Sequence, residues 1–137
     1  MNPVLDASLF VAAVSPAERH HEAARALFHS HPDSLPYLVP TLFRVEVMAA
    51  LSRRGEPEEL LDLVDALVRG PRFHARALDA ELLARATAVA RQARLRAYDA
   101  VYLALALDCG SPLYTLDLEL RRRITAVFPE VVVRSEV

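Results

Sequence analysis

The sequence predicts an α/β fold in which a central parallel sheet is flanked by helices on both faces. Short apolar runs typical of buried strands alternate along the chain with segments whose apolar residues recur at helical spacing. Strands that alternate with helices pair in parallel, and both faces of such a sheet need a cover of helices. With 137 residues, 53% of them apolar, the chain can bury one continuous core, so we expect a single domain over residues 1–137.

The order of the elements follows from apolar spacing and from residues that begin or end helices. Thr41 and Asp79 are predicted helix caps, and Gly55 and Gly110 are predicted helix stops. In chain order we predict a strand at residues 3–6, a helix up to Pro16, a helix at 17–29, a strand at 37–39, helices at 41–54 and 57–69, an edge segment at 73–78, a helix from Asp79, a helix at 97–108, a strand at 113–115, a short helix around Leu118 and a strand at 131–133.

The segment 97–108 is apolar on nearly every side, which is typical of a helix at the centre of a core. Its two tyrosines, Tyr98 and Tyr102, are predicted to be core residues, and so is the lone Cys109. A single cysteine cannot form an internal disulfide, which suits a reducing compartment. No signal segment and no apolar run of about 20 residues is present, so a cytoplasmic protein without membrane association is expected.

The charge composition excludes a globally basic protein. The formal net charge is -2, and all 16 basic residues are arginines. Any contact with nucleic acid must therefore use a local basic surface, and its donors would be the forked guanidinium groups that suit phosphate oxygens.

Four carboxylates stand at positions where an isolated charge would be costly. Asp6 and Asp117 each follow a predicted strand, and the carboxyl ends of parallel strands share one edge of the sheet. Glu46 and Asp99 interrupt apolar helical stripes. Carboxylates gathered out of water repel one another unless a cation offsets their charge, so the set predicts a metal site.

Other interpretations of these acids remain open at this point. Asp6 and Asp117 could each cap the helix that follows, and Glu46 or Asp99 could pair with an arginine turned inward, such as Arg44 or Arg96.

Oxygen ligands of this kind favour Mg²⁺ or Mn²⁺ over zinc, and a carboxylate-held ion of this type supports phosphoester hydrolysis. The hydroxyls of Ser8 and Thr115 could orient a neighbouring carboxylate, or could equally cap helix amides. Arg96 and Arg121 each lie within one helical turn of a proposed ligand and are expected to contact phosphate.

The four acidic motifs in this order resemble those of the PIN-domain family, and most closely those of VapC-type toxins. They are Val4-Leu5-Asp6-Ala7-Ser8, Arg44-Val45-Glu46-Val47, Tyr98-Asp99-Ala100-Val101-Tyr102-Leu103-Ala104 and Thr115-Leu116-Asp117.

The resemblance implies a three-layer α/β/α PIN-like fold and an endoribonuclease that depends on Mg²⁺ or Mn²⁺ and hydrolyses RNA phosphodiester bonds. It also implies a VapB-like antitoxin whose tail occupies the active-site groove. By the same resemblance, Asp6, Glu46 and Asp99 match the core metal ligands, and Asp117 matches a more variable fourth, which Glu119 could assist or replace.

Two alternatives to this function are a phosphoester hydrolase that acts on DNA or small substrates and a nucleic-acid-binding module without turnover. A phosphoacceptor receiver domain is disfavoured because its chemistry needs a lysine and this chain has none. The apolar stripes over residues 42–68 predict a homodimer and an antitoxin interface.

Overall fold

The computed structural model describes residues 2–135. It contains seven helices and five strands within that range, in an order close to the predicted one. The elements are β1 (Val4–Leu5), α1 (Ala7–Val14), α2 (His21–His29), β2 (Tyr37–Pro40), α3 (Phe43–Arg53), α4 (Glu58–Val68), β3 (Phe73–Arg76), α5 (Ala80–Ala93), α6 (Ala97–Cys109), β4 (Leu113–Tyr114), α7 (Leu118–Val127) and β5 (Val133–Arg134).

All five strands are parallel, in the order β3-β2-β1-β4-β5. The central strand is β1, where Val4 lies opposite Leu38 on one side and Leu113 on the other. The strand order reverses between β1 and β4. In open parallel sheets this reversal leaves a crevice at the carboxyl ends of the two strands, where ligands bind.

The helices form two groups by their packing. Helix α1 contacts both α2 and α3, and α3 contacts α4, whereas α5 contacts both α6 and α7. Right-handed crossovers place the connections from β1 to β3 and those from β3 to β5 on opposite faces of the sheet. The predicted arrangement of helices on both faces of a parallel sheet is therefore confirmed.

The core is built around α6 and a group of aromatic rings. Every residue of α6 from Ala100 to Ala106 is buried, which explains why this helix is apolar all round. On α1, the ring of Phe10 lies 5.4 Å from Phe28, 5.6 Å from Phe43 and 5.1 Å from Phe73 between ring centroids. Burial of each such side chain stabilises the fold by about 1.5–3 kcal/mol.

Several helix boundaries follow the expected local chemistry. Asp79 accepts a hydrogen bond from the Leu82 amide at 2.8 Å and caps α5. Gly55 and Gly110 adopt positive φ angles of 72° and 62° after α3 and α6, a conformation that costs glycine little.

Four predictions about individual residues and boundaries are wrong. Thr41 does not cap α3, because its amide donates to Arg76 O and continues the pairing of β2 with β3. Cys109 is exposed rather than buried, since α6 has left the core at its last residue. Tyr98 is also exposed, because it lies in the first turn of α6, before the buried stretch that begins at Ala100. The helix predicted at 17–29 begins only at His21, after a turn.

Smaller shifts occur at the last strand, which covers Val133–Arg134 rather than residues 131–133. No helix in the described part of the chain is long and apolar enough to cross a bilayer.

Candidate active site

Asp6 lies at the carboxyl end of β1 and is 7% exposed. Its Oδ2 accepts hydrogen bonds from Ser8 Oγ at 2.8 Å and from Thr115 Oγ1 at 2.7 Å. Its Oδ1 has only a long contact, 3.4 Å, from the Ser8 amide, and Asp6 is the N-cap of α1. Asp6 therefore caps α1 and also lies at the edge of the sheet, so both interpretations of its position are correct. Its Oδ1 has only a weak hydrogen bond.

Thr115 connects Asp6 to Asp117 at the reversal of strand order. Its hydroxyl donates to Asp6 and accepts from the Asp117 amide at 3.1 Å. Asp117 Oδ1 in turn accepts from the Leu120 amide at 3.0 Å, which caps α7. Both strand-end acids are thus held by local hydrogen bonds beside the same crevice.

Glu46 and Asp99 reach this region from helices. Each lies in the first turn of its helix, Glu46 in α3 and Asp99 in α6, and each is half-buried. Glu46 Oε1 accepts a hydrogen bond of 2.8 Å from the hydroxyl of Tyr102. Tyr102 is buried as predicted, but its contact with Glu46 was not foreseen, although both residues belong to sequence motifs that carry acids.

The pKa values show that the four acids influence one another. Burial raises the pKa of Glu46 to about 7, with further increases from the charges of Asp6 and Asp99 and a partial offset from the Tyr102 hydrogen bond. Burial also raises the pKa of Asp99 to about 6, helped by Asp6 and Asp117 and opposed by Arg96. These charges belong to one electrostatic cluster.

The pKa of Asp6 is raised mainly by its burial, which the hydrogen bonds from Thr115 and Ser8 partly offset, while the charge of Asp117 raises it further. The negative charge of Asp117 thus acts on Asp6, the most deeply buried of the four acids.

The cluster fits a divalent cation. Among the described residues 2–135 no ion pair involves any of the four acids. The Arg44 guanidinium, one alternative partner for Glu46, instead binds Asp65 through two hydrogen bonds of 2.7 and 3.0 Å. Uncompensated negative charge on hard oxygen ligands is the chemistry that Mg²⁺ and Mn²⁺ satisfy.

The acids are not preassembled into a coordination group. Within residues 2–135, no three acidic, histidine or cysteine side chains lie close enough together to hold an ion as they stand. Like charges repel, and two of the acids are engaged as helix caps, which keeps the four carboxylates apart.

A groove of about 260 Å³ opens beside Asp99 and Asp117 and is lined by three arginines, Arg94, Arg96 and Arg123. Of the two arginines proposed from sequence, Arg96 lies here, whereas Arg121 lines a separate groove on α7. Arg94 and Arg123, which were not expected to contact phosphate, also border this groove.

Glu119 also borders this groove, but its carboxylate is engaged. Arg122 donates two hydrogen bonds to it, at 3.0 and 2.6 Å, and Arg123 donates one at 2.9 Å. The Arg123 side chain also donates to the backbone carbonyl of Arg94 at 3.2 Å. Arg123 thus connects α7 to the turn before α6, Glu119 is engaged by arginines of its own helix, and Asp117 is the acid whose charge acts on Asp6.

Two more grooves meet the acids at Glu46. One, of about 360 Å³, passes Ser8 and Leu116 and continues towards Arg54. The other, of about 320 Å³, lies between α3 and Tyr98. A further groove, of about 570 Å³, lies beside β4 and β5 and is lined by none of the four acids.

The comparison with protein families identifies the architecture. The model of the PIN domain matches residues 4–124, which include all four acids. The chain belongs to the PIN-domain family. It is also 30% identical over 131 residues to Ribonuclease VapC3 of Pyrobaculum aerophilum, a match that covers 93% of this chain and 98% of that protein. The predicted relationship to VapC ribonucleases is confirmed.

Solved structures show the same fold. VapC20 of Mycobacterium tuberculosis, a toxin that cleaves the sarcin-ricin loop, superposes with a TM-score of 0.74 at 19% identity over 88% of this chain and 94% of its own. A toxin-antitoxin complex from Klebsiella pneumoniae gives 0.74 at 17% identity, covering 99% and 100%. VapBC2 of Rickettsia felis, bound to promoter DNA, gives 0.70 at 14% identity, covering 98% of each chain. The predicted PIN-like α/β fold is confirmed.

Proposed function

We propose that this PIN-domain protein is a metal-dependent endoribonuclease that hydrolyses RNA phosphodiester bonds and serves as the toxin of a toxin-antitoxin pair. The observation that carries the proposal is a cluster of four uncompensated carboxylates at the reversal point of a PIN-domain sheet. The similarity to Ribonuclease VapC3 over nearly the whole chain supports RNA as the substrate.

In this proposal Asp6, Glu46 and Asp99 hold Mg²⁺ or Mn²⁺, and Asp117 completes the set. When bound, the ion would lower the pKa of a water molecule and offset negative charge on the phosphate under attack. No covalent protein nucleophile is needed for this chemistry.

The protein's own groups position the acids and the substrate. Ser8 and Thr115 fix Oδ2 of Asp6, which leaves Oδ1 available towards the crevice. Tyr102 fixes one oxygen of Glu46 in the same way. Arg96 borders the groove beside Asp99 and is suited to bind a phosphate of the RNA, and Arg121 would contact the RNA only farther along α7.

An antitoxin partner of the VapB type and a homodimer complete the proposal. The structures from Klebsiella pneumoniae and Rickettsia felis contain toxin-antitoxin assemblies of this fold. In the present chain Val45 of α3 and Leu63 of α4 are 69% and 70% exposed. Exposed apolar side chains on neighbouring helices are suited to contacts with another chain.

The test is cleavage of RNA by the purified protein with Mg²⁺ or Mn²⁺. Asp6→Asn and Asp99→Asn should each abolish cleavage, because each removes a ligand charge while it keeps the side-chain shape. Glu119→Gln is the matched control, an acid beside the same groove that should leave most activity. Circular dichroism and thermal unfolding verify that each variant is folded.

Unchanged cleavage by either Asn variant, or full cleavage in the presence of a chelator, would show the mechanism to be wrong. The same assay with single-stranded DNA and with nucleotides tests the broader hydrolase alternative. Saturable RNA binding without any turnover would favour a binding module instead.

A further inference from the structure

Tyr98 is an aromatic side chain that the fold leaves outside the core. It is 60% exposed, whereas Tyr102, one turn later on α6, is fully buried. Within residues 2–135 the Tyr98 ring contacts no other ring, and its hydroxyl has no hydrogen-bond partner. The exposed ring therefore presents an apolar face with a polar tip, which is suited to binding a ligand beside the acids.

The ring forms one wall of the groove of about 320 Å³ beside α3. Small side chains, Ala49 and Ala50, form part of the opposite wall, and Val45 adds an apolar surface that is 69% exposed. A tyrosine ring that faces alanines across a shallow apolar groove leaves room for a flat group to lie against the ring. Nucleobases have two such faces, and they stack on aromatic side chains irrespective of sequence.

The groove is continuous with the acidic cluster. Glu46 lines the groove, and Tyr98 immediately precedes Asp99 in the chain. A nucleotide whose phosphate lies between these two acids would therefore carry its base towards the groove. At the outer end of the groove Arg53 provides a guanidinium group for a neighbouring phosphate.

We propose that this groove is a nucleobase subsite, in which Tyr98 stacks on an unpaired base next to the phosphate that is cleaved. The inference rests on the proposed ribonuclease function and makes it more specific. A base within a duplex is already paired and stacked, so occupation of the subsite selects single-stranded or looped RNA. Tyr98 is then a specificity-determining residue.

RNA suits this groove better than an apolar protein segment does. The groove contains Glu46 of the acid set, one guanidinium group, that of Arg53, and one aromatic ring. A stacked base with flanking phosphates meets each of these features. Leu63 of α4, the exposed apolar side chain on the neighbouring helix, does not line this groove.

The experiment measures cleavage of a single-stranded oligoribonucleotide by the wild type and by Tyr98→Ala, Tyr98→Leu and Tyr98→Phe. Loss of stacking should raise KM by roughly 5- to 100-fold in Tyr98→Ala, with a much smaller change in kcat. Tyr98→Phe should restore the KM, whereas Tyr98→Leu, apolar but without a ring, should not. Leu83→Ala, an exposed apolar residue on α5, is the matched control and should leave KM unchanged.

A second arm replaces one nucleotide at a time with an abasic unit. For the wild type, KM should rise when the abasic unit lies beside the cleaved bond, and Tyr98→Ala should not respond to that replacement. Equal KM values for Tyr98→Ala and wild type, or equal cleavage of duplex and single-stranded RNA, would overturn the subsite. The subsite would also be overturned if Tyr98→Ala kept the RNA kinetics of the wild type but were inhibited less by an antitoxin peptide. That result would assign the groove to protein docking.

Failure of the proposed function is recognised separately. If the wild type cleaves no RNA, binding of an oligonucleotide that contains 2-aminopurine is measured by fluorescence in chelator. Quenching that is lost in Tyr98→Ala and restored in Tyr98→Phe would support the subsite even without turnover. Absence of quenching by the wild type would overturn it.

Discussion

The two strand-end acids and the two helix-borne acids are held in different ways. Asp6 and Asp117 are joined through Thr115 and also cap helices, so their positions are set by hydrogen bonds within a few residues or across adjacent strands. Glu46 has one hydrogen bond, from Tyr102, and Asp99 accepts none within residues 2–135. We call the strand-end acids, which several hydrogen bonds hold in place, the rigid half of the candidate site, and the helix-borne acids, with one hydrogen bond or none, its adjustable half.

The largest expected effect compares one acid from each half. Glu46→Gln should lower kcat/KM for RNA cleavage at least 100-fold, about 2.7 kcal/mol of transition-state stabilisation, since it removes a core ligand charge. Asp117→Asn should cost clearly less, because Asn keeps an oxygen that can still cap α7. Single-turnover cleavage at saturating Mn²⁺ checks both values. A larger loss for Asp117→Asn would contradict the proposal that Asp117 is less essential than Glu46.

The second prediction concerns Thr115, whose hydroxyl joins the two acids of the rigid half. Thr115→Val removes a buried hydroxyl that serves both Asp6 and the Asp117 amide, so unfolding in chelator should become easier by about 1–3 kcal/mol. Mn²⁺ affinity should fall by roughly 10- to 100-fold, as for other groups that orient metal ligands. Urea titration and calorimetry measure the two effects. Thr115→Ser, which keeps the hydroxyl, should lose less of both, and equal losses for the two variants would refute the role of the hydroxyl.

The third prediction concerns pH. The pKa values of Glu46 and Asp99 in the folded protein are about 7 and about 6, above their ordinary values. The folded state therefore binds more protons than the unfolded state, and this stabilisation is present below about pH 4 and lost as pH rises towards 7. In chelator, stability should fall between pH 5 and pH 8 by on the order of 1 kcal/mol, discounted for partial exposure.

Mg²⁺ should raise the melting temperature more at pH 8 than at pH 5, because the ligands are then ionised. Asp99→Asn should flatten the pH dependence of stability in chelator. A wild-type protein that becomes more stable from pH 5 to pH 8 without metal would contradict the electrostatic account of the cluster.

The smallest expected effect comes from the adjustable half. Tyr102→Phe removes the hydrogen bond that lowers the pKa of Glu46, so this pKa should rise by less than about one unit, or about 1 kcal/mol. The acidic limb of the pH profile of kcat/KM should therefore move to higher pH. The value of kcat/KM at the alkaline plateau should change little. An unshifted limb would mean that Tyr102 acts through packing alone.

Much of the fold and of the acid set could be predicted from the sequence, because both depend on local patterns. A short apolar run followed by Asp6, and another followed by Thr115 and Asp117, place these acids at strand ends, and parallel pairing brings strand ends to one edge. The all-apolar stretch of α6 likewise identifies the central helix. The proposed catalytic roles of these acids stay predictions until the variants are measured.

The failures occur where exposure depends on where an element ends relative to its neighbours. Tyr98 and Cys109 belong to the same helix as the buried residues between them, yet both lie near its ends, outside the buried stretch from Ala100 to Ala106. Arg123 borders the acidic groove through its hydrogen bonds with Glu119 and Arg94, whereas Arg121, two residues earlier, faces another groove. The spacing of residues near the acids predicts neither the exposure of Tyr98 and Cys109 nor which arginine borders the groove.

The sequence by itself determined the alternation of strands and helices, the identity of the four acids and their membership of one motif set. These properties follow from short-range spacing, which the chain carries without reference to its neighbours. Only the tertiary structure decided which arginines line the groove beside Asp99. It also decided that Tyr102 donates a hydrogen bond to Glu46 and that Tyr98 is exposed beside the acids. Tyr102 and Glu46 are 56 residues apart in the chain, and the packing of whole elements sets both that contact and the exposure of side chains such as Tyr98.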